Sequence, residues 1–209
     1  MKILALSPHT DDVELGCGGT ISRLLEEGHS LRWVVFSCAT ESVPDGMPGD
    51  TILNEFKQNV RLLALDAVAV EIMDLPVRRF DEHRQDVLEK LVGMRNSQQP
   101  DLVIAPSPHD VHQDHGVVYC EAIRAFKTVC SIICYELPWN QLRNSSQMFM
   151  RLEKRHLDQK MAMLRNYRSQ YAKGRSYFSE EFVYGLAATR GVQCNAPLAE
   201  AFDVIRWMM

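Results

Sequence analysis

Hydrophobic positions along this chain fall into short continuous runs, separated by longer segments in which apolar residues recur at helical spacing. Strand-like runs at 2–7, 31–37, 68–73, 101–105, 131–136 and 201–206 are short and mostly β-branched or aromatic. Several are continuously apolar, as in Ile132-Ile133-Cys134-Tyr135. Strands covered on both faces read this way. Helical segments are predicted near 18–28, 51–65, 81–97, 113–127, 151–173 and 179–188, with Gly28 and Pro100 at or just beyond helix ends. Such alternation predicts an α/β fold: a single Rossmann-like domain over 1–209, its mostly parallel sheet flanked by helices on both faces. The stretch 40–50, rich in Pro, Gly and Asp, and the Pro138-Trp139-Asn140 segment read as loops.

Composition narrows the class. The chain has 209 residues, 46% hydrophobic and 24% charged, with 23 basic against 27 acidic side chains and a net charge of −4. These values exclude a disordered chain. They also argue against a nucleic-acid partner, because an acidic chain offers no general attraction to phosphate backbones. No run reaches the roughly 18 apolar residues needed to span a bilayer, and no signal peptide is legible. Six cysteines form no Cys-x-x-Cys pair and several sit in apolar runs, which predicts a reduced, cytoplasmic protein. The basic residues Arg151, Lys154, Arg155, Lys160 and Arg165 read as one solvated helix face.

Two segments carry chemistry. Ser7-Pro8-His9-Thr10-Asp11-Asp12-Val13-Glu14 follows the first strand, and Pro106-Ser107-Pro108-His109-Asp110-Val111-His112-Gln113-Asp114-His115 follows the fourth. Together they hold four of the seven histidines and five carboxylates. Ligands bind outside the carboxyl ends of parallel strands, where strand order reverses. Strands one and four are neighbours in the commonest doubly wound order, so these distant segments are expected to face each other. A His-plus-carboxylate set without nearby Cys suits zinc (Zn2+), and leaves Fe2+, manganese and cobalt open. Its spare acids and imidazoles suit amide hydrolysis. Asp11-Asp12 alone would also serve as a helix N-cap. Gly16-Cys17-Gly18-Gly19 does not match the dinucleotide fingerprint, since its sixth position is Ile21; close packing of a helix start explains the glycines better.

At these residues the sequence resembles the PIG-L/LmbE-like family of metal-dependent N-deacetylases. The family's His-Pro-Asp-Asp-x-Glu motif stands here as His9-Thr10-Asp11-Asp12-Val13-Glu14, and its His-Pro-Asp-His motif as His112-Gln113-Asp114-His115. Tyr167-Arg168-Ser169-Gln170 and Ala199-Glu200-Ala201-Phe202 add support. The resemblance implies that His9, Asp12 and His115 ligate the metal and that Asp11 is the general base. It further implies that His112 stabilises the oxyanion or protonates the leaving amine, with Asp114 orienting His112. The substrate implied is a small N-acetylated sugar conjugate. The family's usual substrate-contacting Arg on the second helix is missing, because Asn54 and Lys57 stand in that region. Arg78 and Arg79 are the candidate replacements, able to hold a phosphate or carboxylate, and Asp110 is a further candidate at the site's edge. Glu41 and Trp139 are candidates for the rim. Rival readings are a metal-dependent amidase or esterase for a non-sugar acyl substrate, and a metal-containing binding module without catalysis. The sequence leaves the oligomeric state open, a homo-oligomer included.

Overall fold

Alternation along the strands sorts the core into two layers. In β1 (Lys2–His9), Ile3 and Ala5 enter one buried cluster, while Leu4 and Leu6 enter the other. The same division runs through β2 (Ser30–Ser37), where Trp33 and Val35 face one way and Val34 and Phe36 the other. It recurs in β4 (Leu102–Pro106), with Leu102 and Ile104 opposed to Val103 and Ala105. Both faces therefore need covering, which accounts for the unbroken apolar runs. The computed structural model describes residues 1–66 and 69–208. Residue 68, the first of the expected strand 68–73, lies outside the described residues.

Seven strands form one sheet in the order β3-β2-β1-β4-β5-β7-β6. Here β3 is Val70–Ile72, β5 Ser131–Tyr135, β6 Met148–Leu152 and β7 Leu198–Arg206. The five strands from β3 to β5 run parallel, and β7 and β6 pair antiparallel at one end. Helices α1 (Asp12–Glu26), α2 (Thr51–Leu62), α5 (Lys154–Arg165) and α7 (Glu180–Gln193) contribute to the first cluster. On the other face, α3 (Arg84–Gln98) and α4 (Gln113–Phe126) contribute to the second. Short α6 (Arg168–Ala172) follows α5. This is a single α/β domain with a mostly parallel sheet, as expected.

Several element boundaries differ from expectation: the helix expected over 151–173 is split into α5 and α6, the strand expected from 201 begins at Leu198, and two starts differ in a way that bears on the site. The segment expected to be helical from 151 begins as strand β6, whose residues pair with β7 from Met148↔Phe202 to Leu152↔Leu198. Helix α5 starts only after Glu153, which forms a reciprocal capping box with His156. Helix α1 begins at Asp12, six residues before the expected start at 18, so the glycine cluster lies inside it. A Cβ on Gly16 would lie 2.3 Å from Cδ2 of Tyr135, and one on Gly19 2.6 Å from Cδ1 of Leu152. Only glycine lets this helix lie so close to the sheet.

That helix is also broken. Cys17 leaves the helical region (φ −148°, ψ 24°). In an unbroken helix the Gly19 N–H would donate to the Leu15 carbonyl. Here Lys160 Nζ donates to the Leu15 carbonyl at 2.7 Å, and Glu200 accepts the Gly19 and Thr20 N–H groups at 3.1 and 2.6 Å. Lys160 and Glu200 themselves meet at 2.7 Å, both buried. A buried ion pair is inserted into one rung of α1. Lys160 therefore departs from the expected solvated face, whereas Lys154, Arg155 and Arg165 are exposed and paired with acids.

Candidate active site

The carboxyl ends of β1 and β4, adjacent in the sheet, bring the two histidine-rich segments together. Asp11 occupies the N-cap position of α1 but its side chain makes no capping hydrogen bond. The Asp12 carboxylate accepts the His9 N–H at 2.7 Å. Helical capping thus leaves the Asp11 carboxylate unused.

Three atoms converge. His9 Nδ1 lies 3.3 Å from Asp12 Oδ2, His115 Nε2 lies 3.3 Å from the same oxygen, and the two nitrogens are 3.3 Å apart. The outward nitrogens are occupied: His9 Nε2 meets Asp114 Oδ2 at 3.0 Å and His115 Nδ1 meets Asp110 Oδ2 at 2.7 Å. Carboxylates can only accept, so these outward nitrogens carry the protons. Two imidazole lone pairs and a carboxylate oxygen then point at one another, an arrangement that demands a cation. Ligand atoms around a tetrahedral ion with bonds of roughly 2.0–2.1 Å lie about 3.3–3.4 Å apart. The observed triangle has those edges, and carboxylates behind metal-ligating histidines are the usual support. His112 offers a further nitrogen, all three histidines presenting atoms within 4.8 Å of one another.

Electrostatics agree. Burial works against a charge on His9, but hydrogen bonds to Asp114 and Asp12 outweigh it and raise its pKa to about 9. His115 is likewise buried, yet Asp12 and Asp110 raise it to about 10. The site holds positive charge, as protons when no other cation is present. Asp12 is pushed far down, its burial overridden by His115 and His9. Asp11 moves the other way, to about 6, through burial and then the neighbouring Asp12 charge. Adjacent acids are thus separated in role by their surroundings. For His112, burial and the charges of His115 and His9 lower the pKa, which favours the neutral ring. Its Nδ1 accepts the Asp114 N–H at 3.2 Å, so the proton of the neutral ring sits on Nε2.

Asp114 does not orient His112 through its carboxylate. That group holds His9 and accepts the backbone N–H groups of Arg78 (2.7 Å) and Phe80 (3.3 Å). Asp110 is buried behind the site and supports His115 and the His112 N–H, at 2.7 and 2.8 Å. A cleft of about 170 Å³ opens over these groups, lined by Asp11, His112, Trp139 and Asn140 among others. Arg78, Arg79, Asp110 and Glu41 are not in that lining. The cation in the wall is Arg175, beside Gln170 and Tyr177, none of which was singled out as a site residue from the sequence. Gln170 lay in the Ser-Gln likeness; Arg175 and Tyr177 gave no periodic or motif signal. His109 turns away to Ser145, 2.8 Å distant.

The sequence profile of PIG-L, the GlcNAc-PI de-N-acetylases, matches residues 4–126. The chain belongs to the PIG-L family. Among relatives, an uncharacterized deacetylase, YaiS of Escherichia coli (strain K12), is 27% identical over 173 residues, 80% of this chain and 90% of its own. The N,N'-diacetylchitobiose deacetylase of Pyrococcus horikoshii superposes with a TM-score of 0.79 at 20% identity, over 98% of this PIG-L chain and 83% of its own. GalB, the 4-carboxy-2-hydroxymuconate hydratase of Pseudomonas putida KT2440, superposes with a TM-score of 0.78 at 19% identity, covering 100% and 97%. The PIG-L fold is thus shared with a hydratase, and architecture alone does not fix the reaction. All six cysteines of this PIG-L chain are free, and among the described residues no helix is long and apolar enough to cross a membrane.

Proposed function

We propose that this PIG-L chain is a metal-dependent hydrolase that removes the acetyl group from an N-acetylated amino sugar or a conjugate of one. The observation that carries this reading is the 3.3 Å triangle of His9 Nδ1, Asp12 Oδ2 and His115 Nε2, with unused acid and imidazole beside it. These three residues would hold a zinc or similar divalent ion. When bound, the ion supplies Lewis acidity and acidifies a coordinated water.

The protein's own groups divide the remaining work. Asp11, lining the cleft and free of capping duty, takes the proton of the attacking water. Its raised pKa suits that task better than an ordinary carboxylate would. His112, neutral with its proton on Nε2, donates to the oxygen that becomes negative when the acetamide carbonyl is attacked. Transfer of the Asp11 proton to the departing nitrogen then releases acetate and a free amine. Asp110 and Asp114 fix His115 and His9 from behind.

Acetate release from N-acetylglucosamine conjugates, measured with zinc-loaded and chelated protein, tests the reading. Asp11→Ala is expected to keep the metal and lose at least about a hundredfold in turnover, whereas Asp12→Ala loses metal as well. Normal turnover by Asp11→Ala would overturn the role of Asp11.

A further inference from the structure

Among the described residues, seven of the chain's sixteen arginines form ion pairs with acids, and Arg175 is not one of them. Arg84 and Arg124 share Glu121, Arg155 meets Glu26, Arg165 meets Glu180 and Arg190 meets Glu136. Among the described residues no acid forms an ion pair with Arg175, whose Nη1 donates to the neutral hydroxyl of Tyr177; its charge acts without direct contact on Asp11 across the cleft, opposing the rise in that carboxyl's pKa. Its guanidinium lies over the Tyr177 ring, 5.6 Å from the centroid. The Tyr177 and Trp139 rings also stack, with centroids 3.9 Å apart and planes within 8°. Trp139 is braced in turn by Phe182, 5.8 Å away at 61°.

A guanidinium so held is ordered before any ligand arrives, with one hydrogen bond made and its other N–H groups unspent. Among the described residues it is also the single Lys or Arg in the cleft wall. Arg175 is exposed at the cleft and Asp11 acts on it without a hydrogen bond, so its free N–H groups are open to an anionic substituent of a bound substrate. We propose that Arg175 is the specificity-determining contact for an oxyanion substituent, phosphate or carboxylate, carried by the N-acetylated amino sugar. The inference rests on the deacetylase reading for the identity of the sugar. It takes from Arg78 and Arg79 the anion-binding part that the sequence suggested for them, because neither enters the cleft.

The test compares N-acetylglucosamine with its 1-phosphate, its 6-phosphate and N-acetylmuramic acid, using zinc-loaded wild type, Arg175→Gln, Arg175→Lys and Tyr177→Phe. Wild type is expected to favour at least one anionic sugar over the neutral one by about ten- to a hundredfold in kcat/KM, the range of a charge-assisted hydrogen bond. In Arg175→Gln that ratio falls to about one. Arg175→Lys keeps part of it, because the charge remains but the fork is lost. Tyr177→Phe loses part, because the hydroxyl that positions the guanidinium is gone. Equal or better hydrolysis of the neutral sugar by wild type, or a ratio that survives Arg175→Gln, overturns the proposal. So does a shifted pH profile with an unchanged ratio, which would make Arg175 a modulator of Asp11. Calorimetric binding of glucosamine 6-phosphate and glucosamine provides an arm independent of turnover. No hydrolysis of any sugar, together with anion-selective binding lost in Arg175→Gln, would sink the deacetylase reading and leave the anion site standing.

Discussion

Replacing Lys160 by Met probes the ion pair lodged in the broken rung of α1. The alkyl stem survives the substitution, so little packing is lost. What disappears is the cation 2.7 Å from Glu200 and the donor 2.7 Å from the Leu15 carbonyl. Glu200, 6% exposed, then remains buried with two backbone N–H partners and no countercharge. Removing one partner of such a buried pair costs about 3–5 kcal/mol. For a chain of this length that lowers the thermal midpoint by roughly 10 °C, taking about 2–4 °C per kcal/mol. The double variant Lys160→Met/Glu200→Gln should recover about 1–3 kcal/mol, because the amide oxygen still accepts from the helix while no buried charge is left. Urea unfolding of wild type, both single variants and the double variant supplies the four corners of the cycle. A Lys160→Met variant within about 1 kcal/mol of wild type, or a double variant that equals the sum of the singles, would refute the reasoning.

Other outcomes follow from the same contacts. Asp114→Asn, which weakens the acceptor behind His9, is expected to loosen zinc by about ten- to a hundredfold in a chelator competition; an unchanged affinity would remove Asp114 from the supporting shell. Gly16→Ala drives a methyl into Tyr135, whose hydroxyl is tied to the Leu6 carbonyl at 3.1 Å, and should cost about 1–3 kcal/mol or more in urea unfolding; wild-type stability would mean the ring can move aside. In the metal-free chain His9 and His115 keep their protons to about 9 and about 10, above their ordinary value of 6.5, so the folded state binds more protons than the unfolded one across that window. Their stabilisation is complete below pH 6.5 and is lost as pH rises through 9 to 10, so the thermal midpoint of chelated protein should fall over that range. Bound zinc should abolish the fall, and a midpoint that rises with pH in the chelated protein would contradict the charge on these rings.

Legibility in the sequence followed burial. β1, β2, β4 and β5 could be located because both of their faces are covered and their runs are unbroken. β6 could not: its burial is partial over Met148–Arg151, and Arg151 continues into the basic run of α5. The start of α1 was misplaced because four residues of a Gly-Cys-Gly-Gly run look like a break before a helix, and here they make a break within one. The metal-binding candidates were legible because strand order alone brings the β1 and β4 ends together. The resemblance implied that Asp114 orients His112, but His112 is the N-cap of α4 and meets only the Asp114 backbone N–H, while the Asp114 carboxylate turns to His9. The Arg175–Tyr177 wall reaches the cleft through chain geometry after α6, which no periodicity records. Glu200 was legible only as part of a supportive likeness, and its contact with the interior of α1 spans 180 residues of chain.

The strand order has a consequence for synthesis. β1 lies in the interior of the sheet, yet its two neighbours are made far apart in time: β2 ends at Ser37, whereas β4 begins at Leu102. At about 5–20 residues per second, the apolar β1 spends several seconds with one edge unpaired after β2 has docked. Such an edge is a template for other chains, so the nascent protein is most exposed to aggregation in that interval. His9 and Asp12 wait over the same interval for His115. Two of the three converging donors make a poor trap for an ion, and a cation recruited by all three would be captured only after the central strands have joined.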